Sequence, residues 1–269
     1  MPVSESDIKK EVEFLREKGE IITLNGKERI ILESDIVFDD NALYLYARDR
    51  LEARQSAAEE TVQPEGGRPL VAKVDESGRI LRWERGFVLS YSVQKDTFPT
   101  DEQYDQVVLA MKRAVVDWQG VCGVRFEYRP EFDTSAEPAD VLFVVRYHPV
   151  DSQTTLIASA FFPDYPEEER NLLIYPNYYT TSIDRVGVLR HELGHVLGFR
   201  HEHIRNEAPH GCKDESLHDA MALGEYDPIS VMHYLCGGFG SKDLEITDLD
   251  EQGARMVYGA PDSECAFFT

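Results

Sequence analysis

The apolar positions of this chain fall into two repeating patterns, and the pattern changes along its length. From residue 100 to 119, Val107, Val108, Met111, Val115 and Trp118 recur every three to four residues, which predicts an amphipathic helix. Thr100 with Gln103 has the spacing of a capping box at its start. Ile8, Val12 and Leu15 predict a shorter helix over 4–18, capped by Ser4 or Ser6. A third helix is expected over about 183–197, capped by Ser182, and a last one from Thr247 to Tyr258, closed by Gly259. β-Rich runs at 21–24 and 29–32 flank Asn25-Gly26, a pair that tolerates the positive φ of a tight hairpin. Further strands are expected at 42–47, 87–93, 124–128, 141–146, 156–162 and 172–175. Residues 52–69 lose all periodicity and are rich in small, polar, Gly and Pro residues, so they read as a linker or exposed loop. No internal repeat is visible.

At 269 residues and 42% hydrophobic, the chain can bury one large core, or one domain plus a small accessory segment. We divide it into an N-terminal region, 1–78, that includes a linker over 52–78, and a main domain, 79–269. The net charge of −22 argues against nucleic acid and anionic membranes as partners. It equally serves plain solubility. No apolar run is long enough to span a bilayer, and the first twenty residues lack the pattern of a secretory signal. The four cysteines, Cys122, Cys212, Cys236 and Cys265, admit three pairings as two disulfides, or four reduced thiols.

The chemistry is concentrated in residues 191–201. His191 and His195 stand at i and i+4, so on a helix both imidazoles leave the same face one turn apart. That suits two ligands of one tetrahedral Zn²⁺. Glu192 lies beside them, able to reach a water without ligating the metal. Gly198 ends the helix, and the turn can return His201 as a third ligand. Three protein ligands leave a position for water, the mark of a catalytic site. The competing reading, chance histidines on a core helix, requires five specified residues to fall in register by accident.

This pattern, followed by Ser230-Val231-Met232-His233-Tyr234, resembles the metzincin zinc proteases, whose Met-turn lies beneath the metal. It is most similar to the astacin branch, on Glu202 directly after His201, on the continuation His203-Ile204-Arg205, and on Tyr234 two residues after Met232. The resemblance implies an α+β metzincin-like catalytic domain: a twisted sheet of about five strands packed on two long helices, with a smaller C-terminal part. It implies a zinc endopeptidase with Glu192 as general base and Tyr234 as a labile fifth ligand that stabilises the oxyanion. Met232 and Gly198 support the site, and Glu202 meets the new N-terminus of the processed enzyme. It also implies a Cys122–Cys265 bridge, which leaves Cys212–Cys236 as a second. An extracytoplasmic location follows from such bridges.

Residues 157–163 resemble the cleft-side edge strand of matrixins, where a protein or peptide substrate adds as a strand. An ordinary sheet strand fits the same residues. Phe199, Tyr178 and Tyr179 are candidates for the cleft wall or for the core. In the N-terminal region, Leu32-Glu33-Ser34-Asp35 resembles the astacin FxGD prosegment motif, with Leu for Phe and Ser for Gly. It would make Asp35 a latency ligand and residues 52–78 the natural place for an activating cut. The alternatives are a surface aspartate and a permanent accessory domain. A catalytically silent zinc module is the rival to the enzyme, but such a module has no need of Glu192. An enzyme for non-protein amides or esters is a third reading. We expect a monomer.

Overall fold

The computed structural model describes residues 3–57, 68–136, 138, 140–150, 154–209, 212 and 219–261. The N-terminal elements are α1 (Glu5–Lys18), β1 (Glu20–Leu24), β2 (Lys27–Leu32), β3 (Ile36–Phe38) and α2 (Asp40–Ala57). Ser4 caps α1, accepting from the Asp7 amide. Asn25 and Gly26, at φ 52° and 73°, turn β1 into β2 as the Asn-Gly pair predicts. These strands form an antiparallel sheet in the order β1-β2-β3.

The strand expected at 42–47 instead lies within the first two turns of α2. Leu43, Tyr46 and Ala47 are buried at i, i+3 and i+4, whereas Leu45 is exposed. Asp39 starts the helix by accepting from the Ala42 amide at 2.7 Å. The expected linker over 52–69 is correspondingly shorter, because α2 runs to Ala57 and β4 (Arg68–Lys73) begins at Arg68. Although β4 precedes residue 79, it pairs with β10 (Phe199–Arg200) and β11 (Ala220–Gly224).

The main sheet contains β5 (Val88–Val93), β6 (Arg125–Tyr128), β7 (Phe143–Tyr147), β8 (Ala158–Ser159) and β9 (Asn171–Ile174). Their order is β6-β5-β7-β9-β8, parallel except for the antiparallel β8 at the edge. This is the expected five-stranded mixed sheet. Two helices, α3 (Asp101–Val121) and α4 (Arg185–Val196), complete the frame. Thr100 caps α3 as expected, accepting from the Gln103 amide. Asp184, not Ser182, caps α4, and it accepts from the Gly187 amide. Val107, Met111, Val115 and Trp118 of α3 join Leu189, Leu193 and Val196 of α4 in one apolar core with β5, β7 and β9. The last helix, α5 (Asp248–Tyr258), carries a capping box between Thr247 and Asp250. No described helix is long and apolar enough to cross a membrane.

The N-terminal unit has its own apolar cluster, built on Ile8, Leu15, Ile30, Leu32, Leu43 and Tyr46. Phe162, from the stretch after β8, completes that cluster. Large side chains on both sides thus leave water at this junction, each contributing roughly 1.5–3 kcal/mol by burial.

Candidate metal centre

α4 places His191 and His195 one turn apart, both almost completely buried. Gly198 then adopts φ 91°. A Cβ at that position would lie 2.3 Å from the Leu81 carbonyl oxygen, so both the turn and the close approach require glycine. The reversed chain enters β10, which pairs with β4 and delivers His201 to the same point, fully buried. The three predicted imidazoles are therefore brought together.

Backbone carbonyls orient two of the rings. His191 Nδ1 lies 2.7 Å from the Val231 oxygen and His195 Nδ1 lies 2.8 Å from the Phe199 oxygen. A carbonyl only accepts, so these Nδ1 atoms carry the protons and the Nε2 lone pairs face inward. There they meet other acceptors. Asp35 Oδ2 is 3.1 Å from Nε2 of both His191 and His201, and 3.5 Å from that of His195. His195 Nε2 and His201 Nε2 are 3.1 Å apart. Lone pairs held this close in a buried site repel unless a cation lies among them. One ligand atom from each of these four residues falls within 4.8 Å of all the others. Three imidazoles and a carboxylate in a compact buried set are the donors Zn²⁺ prefers, so these residues fit the metal.

Burial lowers His195 to about 4, which favours its neutral, ligating form. Glu192 is pushed well above the usual range by burial and then by the Asp35 charge. Among the described residues its Oε2 has no hydrogen-bond partner. It lines a cavity of about 280 Å³ with His191, Tyr234, Val188, Leu235 and Leu244.

The Met-turn lies beneath this cluster. Met232 is fully buried, and its Sδ would be 2.3 Å from a Cβ at Gly194. The turn is held by Asp250, which accepts from Ser230 Oγ at 2.5 Å and from the Val231 amide at 2.8 Å. Sequence reasoning missed Asp250, whose only local signal was its place at the start of α5. Tyr234 packs on His201 with ring centroids 4.4 Å apart. Its hydroxyl lies between two acceptors, the Glu33 carbonyl at 2.8 Å and Asp35 Oδ2, which share its one proton. Glu202 is fully buried; its Oε1 accepts from Arg205 and from the Asp227 amide, and burial raises its carboxyl to about 8 despite Arg205.

Asp35 reaches the centre from a turn in which Glu33 and Ser34 have φ 53° and 71°. Ser34 thus holds a left-handed conformation that glycine adopts more cheaply, which gives physical content to the Gly of the motif it resembles. Beyond the turn, Ile36 pairs in parallel with Ala160, and the Ala160 amide donates to the Asp35 carbonyl at 3.2 Å. The edge strand expected near 157–162 is therefore covered by residues 35–36.

Cys212 and Cys236 form a disulfide. Among the described residues Cys122 is a free, buried thiol; Cys265, its expected partner, lies outside them. Tyr178 and Phe199 belong to the core rather than the cleft: Phe199 stacks on Trp118, and the Tyr178 hydroxyl donates to the Arg185 carbonyl. Tyr179 is half-buried, and its hydroxyl donates to the Gln103 carbonyl.

Residues 82–209 match the family model for matrixin. No curated protein sequence matches the chain. Among solved structures, myroilysin is 16% identical, with a TM-score of 0.50 over 70% of this chain and 98% of its own. High choriolytic enzyme 1, a hatching enzyme zinc-protease from the medaka fish Oryzias latipes, is also 16% identical, with a TM-score of 0.41 over 67% of this chain and 95% of its own. With a matrixin match across the zinc motif, a fold similar to that of myroilysin and four convergent donor residues that fit zinc, the chain is metzincin-like.

Proposed function

We propose that the chain is a zinc-dependent endopeptidase of the astacin-like branch, folded as a latent form in which Asp35 closes the metal centre. The observation that carries this reading is the position of the Asp35 carboxylate, 3.1 Å from two of the three imidazoles and bonded by Tyr234. The covered edge strand supports it, because the same backbone that delivers Asp35 takes the place of a substrate strand.

Zinc, when bound, acidifies water and polarises the scissile carbonyl. Glu192, buried in the cavity beside His191, accepts the proton of the attacking water and returns it to the leaving amine. With Asp35 withdrawn, the Tyr234 hydroxyl is free to donate to the oxyanion. His191 and His195 keep their tautomers through Val231 and Phe199, so the acceptor nitrogens stay aimed. Met232 fixes the floor beneath them.

In this reading the activating cut falls within the 52–78 part of the 1–78 region, upstream of Arg68, so that β4 stays paired with β10 and β11 of the 79–269 catalytic domain, which acts outside the cytoplasm as a monomer on a protein or peptide substrate. Glu202 would take the new N-terminus. In support, Arg68 of β4 pairs with Gly224, whose carbonyl accepts from Arg205, the partner of Glu202.

The test compares casein hydrolysis by the zinc-loaded full chain before and after limited proteolysis, with and without a chelator. Hydrolysis should appear on nicking and vanish with the chelator. Full activity in the intact chain would dismiss latency, and no activity in either form would leave a silent zinc-binding module.

A further inference from the structure

The N-terminal sheet is apolar on both faces, and its own helices cover only one of them. Along β2 and β3, Ile30, Leu32, Ile36 and Phe38 belong to the cluster that α1 and α2 complete. Their neighbours Ile31 and Val37 point to the opposite face, where Ile22 and Leu24 of β1 join them. There they share a cluster with Leu156, Leu173 and Tyr175 of the main domain, and all seven side chains are at most 7% exposed. β9 is built in the same way. Leu172 and Ile174 belong to the main core, whereas Leu173 and, just past the strand, Tyr175 meet the N-terminal sheet.

Polar contacts rim this face. Arg29 donates to both carboxylate oxygens of Glu169, from Nε at 2.9 Å and from a terminal guanidinium nitrogen. The two side chains are only 6% and 10% exposed, so this is a buried contact between a planar fork and a carboxylate. The Tyr165 hydroxyl donates to the Val37 carbonyl at 2.6 Å, and Arg146 donates to Asn25 Oδ1 at 3.3 Å. None of these residues is a donor of the metal centre, and none lies in the linker. The linker therefore tethers a unit that is already docked. A cut upstream of Arg68 removes the tether, which supplies effective concentration, and leaves every contact of the face in place. Departure of the unit would bring Leu156, Leu173 and Tyr175 to water and break the Arg29–Glu169 pair.

We infer that the outer face of β9, with Glu169 at its rim, is a docking surface for the chain's own α1–α2 unit, which it holds as a non-covalent inhibitor after the linker is cut. The docking needs no zinc. Its effect on activity rests on the latent-endopeptidase reading and adds to it a regulation by mass action: the nicked enzyme is silent when concentrated and active when dilute.

The experiment uses the full chain nicked in its linker by limited proteolysis. At about 10 μM, in chelator and without denaturant, both fragments should elute from gel filtration as one species. Nicked Asp35→Ala should elute in the same way. Zinc-loaded nicked protein should gain peptide hydrolysis per molecule by about tenfold or more on dilution from about 10 μM to about 1 nM, a dependence the intact chain lacks. Glu169→Gln should move the midpoint of that dilution curve to a concentration at least about tenfold higher, with the kcat/KM of the dissociated enzyme unchanged. Arg29→Gln should do the same, and joining the two substitutions should add little, a coupling that separate folding defects would not reproduce. Fragments that part in chelator at the higher concentration would overturn the inference, as would measurable hydrolysis whose specific rate ignores dilution. Co-elution of the parent fragments, with no hydrolysis by the dissociated Glu169→Gln chain, would instead sink the endopeptidase reading and keep the docking surface.

Discussion

Asp35 Oδ2 and His201 Nε2 lie 3.1 Å apart, although 166 residues separate them in the chain. The contact joins the N-terminal unit to the last histidine of the 191–201 motif, and in the proposed latent form the carboxylate stands where the hydrolytic water would. Replacing it is the most direct test of latency. Asp35→Ala should raise peptide hydrolysis by the intact, zinc-loaded chain by about 10- to 100-fold, the equivalent of losing one charge-assisted contact. Assays on unnicked protein, confirmed intact by mass spectrometry, read this directly. An Asp35→Ala chain as inactive as the parent would show that other contacts keep the cleft shut.

Glu192 is proposed as the base and is not one of the four convergent donors. Glu192→Gln keeps its shape and removes its basicity. In the nicked chain it should lower kcat by at least about 100-fold with zinc content unchanged. Metal analysis beside the rate measurement separates a lost base from a lost metal.

The Cys212–Cys236 bridge spans 24 residues and ties the chain after the zinc motif to the turn that follows Tyr234. Closing a loop of that size restricts the unfolded chain by about 3 kcal/mol. The double Cys→Ser variant should lose about that much stability in urea titrations. An unchanged midpoint and slope would mean that the bridge adds nothing beyond the surrounding packing.

Asp250 gives a pH dependence that can be isolated. Burial raises its carboxyl to about 6, against the pull of its hydrogen bonds from Ser230, Thr247 and Val231. Between about pH 4 and about pH 6 the folded chain keeps a proton that the unfolded chain has released. Stability from this group is therefore present below that window and is lost as pH rises through it, by about 3 kcal/mol in all. Asp250→Asn cannot titrate. The stability of the parent minus that of the variant should fall by that amount from pH 4 to pH 7, and a flat difference would refute the assignment.

The three histidines were legible because a helix converts a spacing of four into a shared face, and a glycine into a stop. β8 and β9 were legible as apolar runs, and the Asn-Gly hairpin as a turn with one cheap backbone solution. The strand expected at 42–47 failed because Leu43-Tyr44-Leu45-Tyr46 suits a period of two as well as one of 3.6, and packing against the N-terminal sheet decided between them. Arg200 with Glu33, and Asp250 with Val231, escaped sequence reasoning for a different reason. Each pair is brought together by the fold across 19 to 167 residues, and nothing near either partner announces the other. Asp35 was found only because its neighbours resemble a known motif; the two left-handed residues before it leave no periodic trace.

The register of β4 limits how the chain can be trimmed. A protease that severs it upstream of Arg68 frees α1 through α2 and spares the pairing of β4 with β10 and β11. A cut past Lys73 would carry β4 away with the rest. The backbone of Phe199 and Arg200, which β4 now holds beside the third imidazole, would then lose its hydrogen-bonding neighbour. If the proposed activation holds, a cut at the wrong peptide bond would yield a fragment that has shed Asp35 and, with it, a rail on which His201 rides.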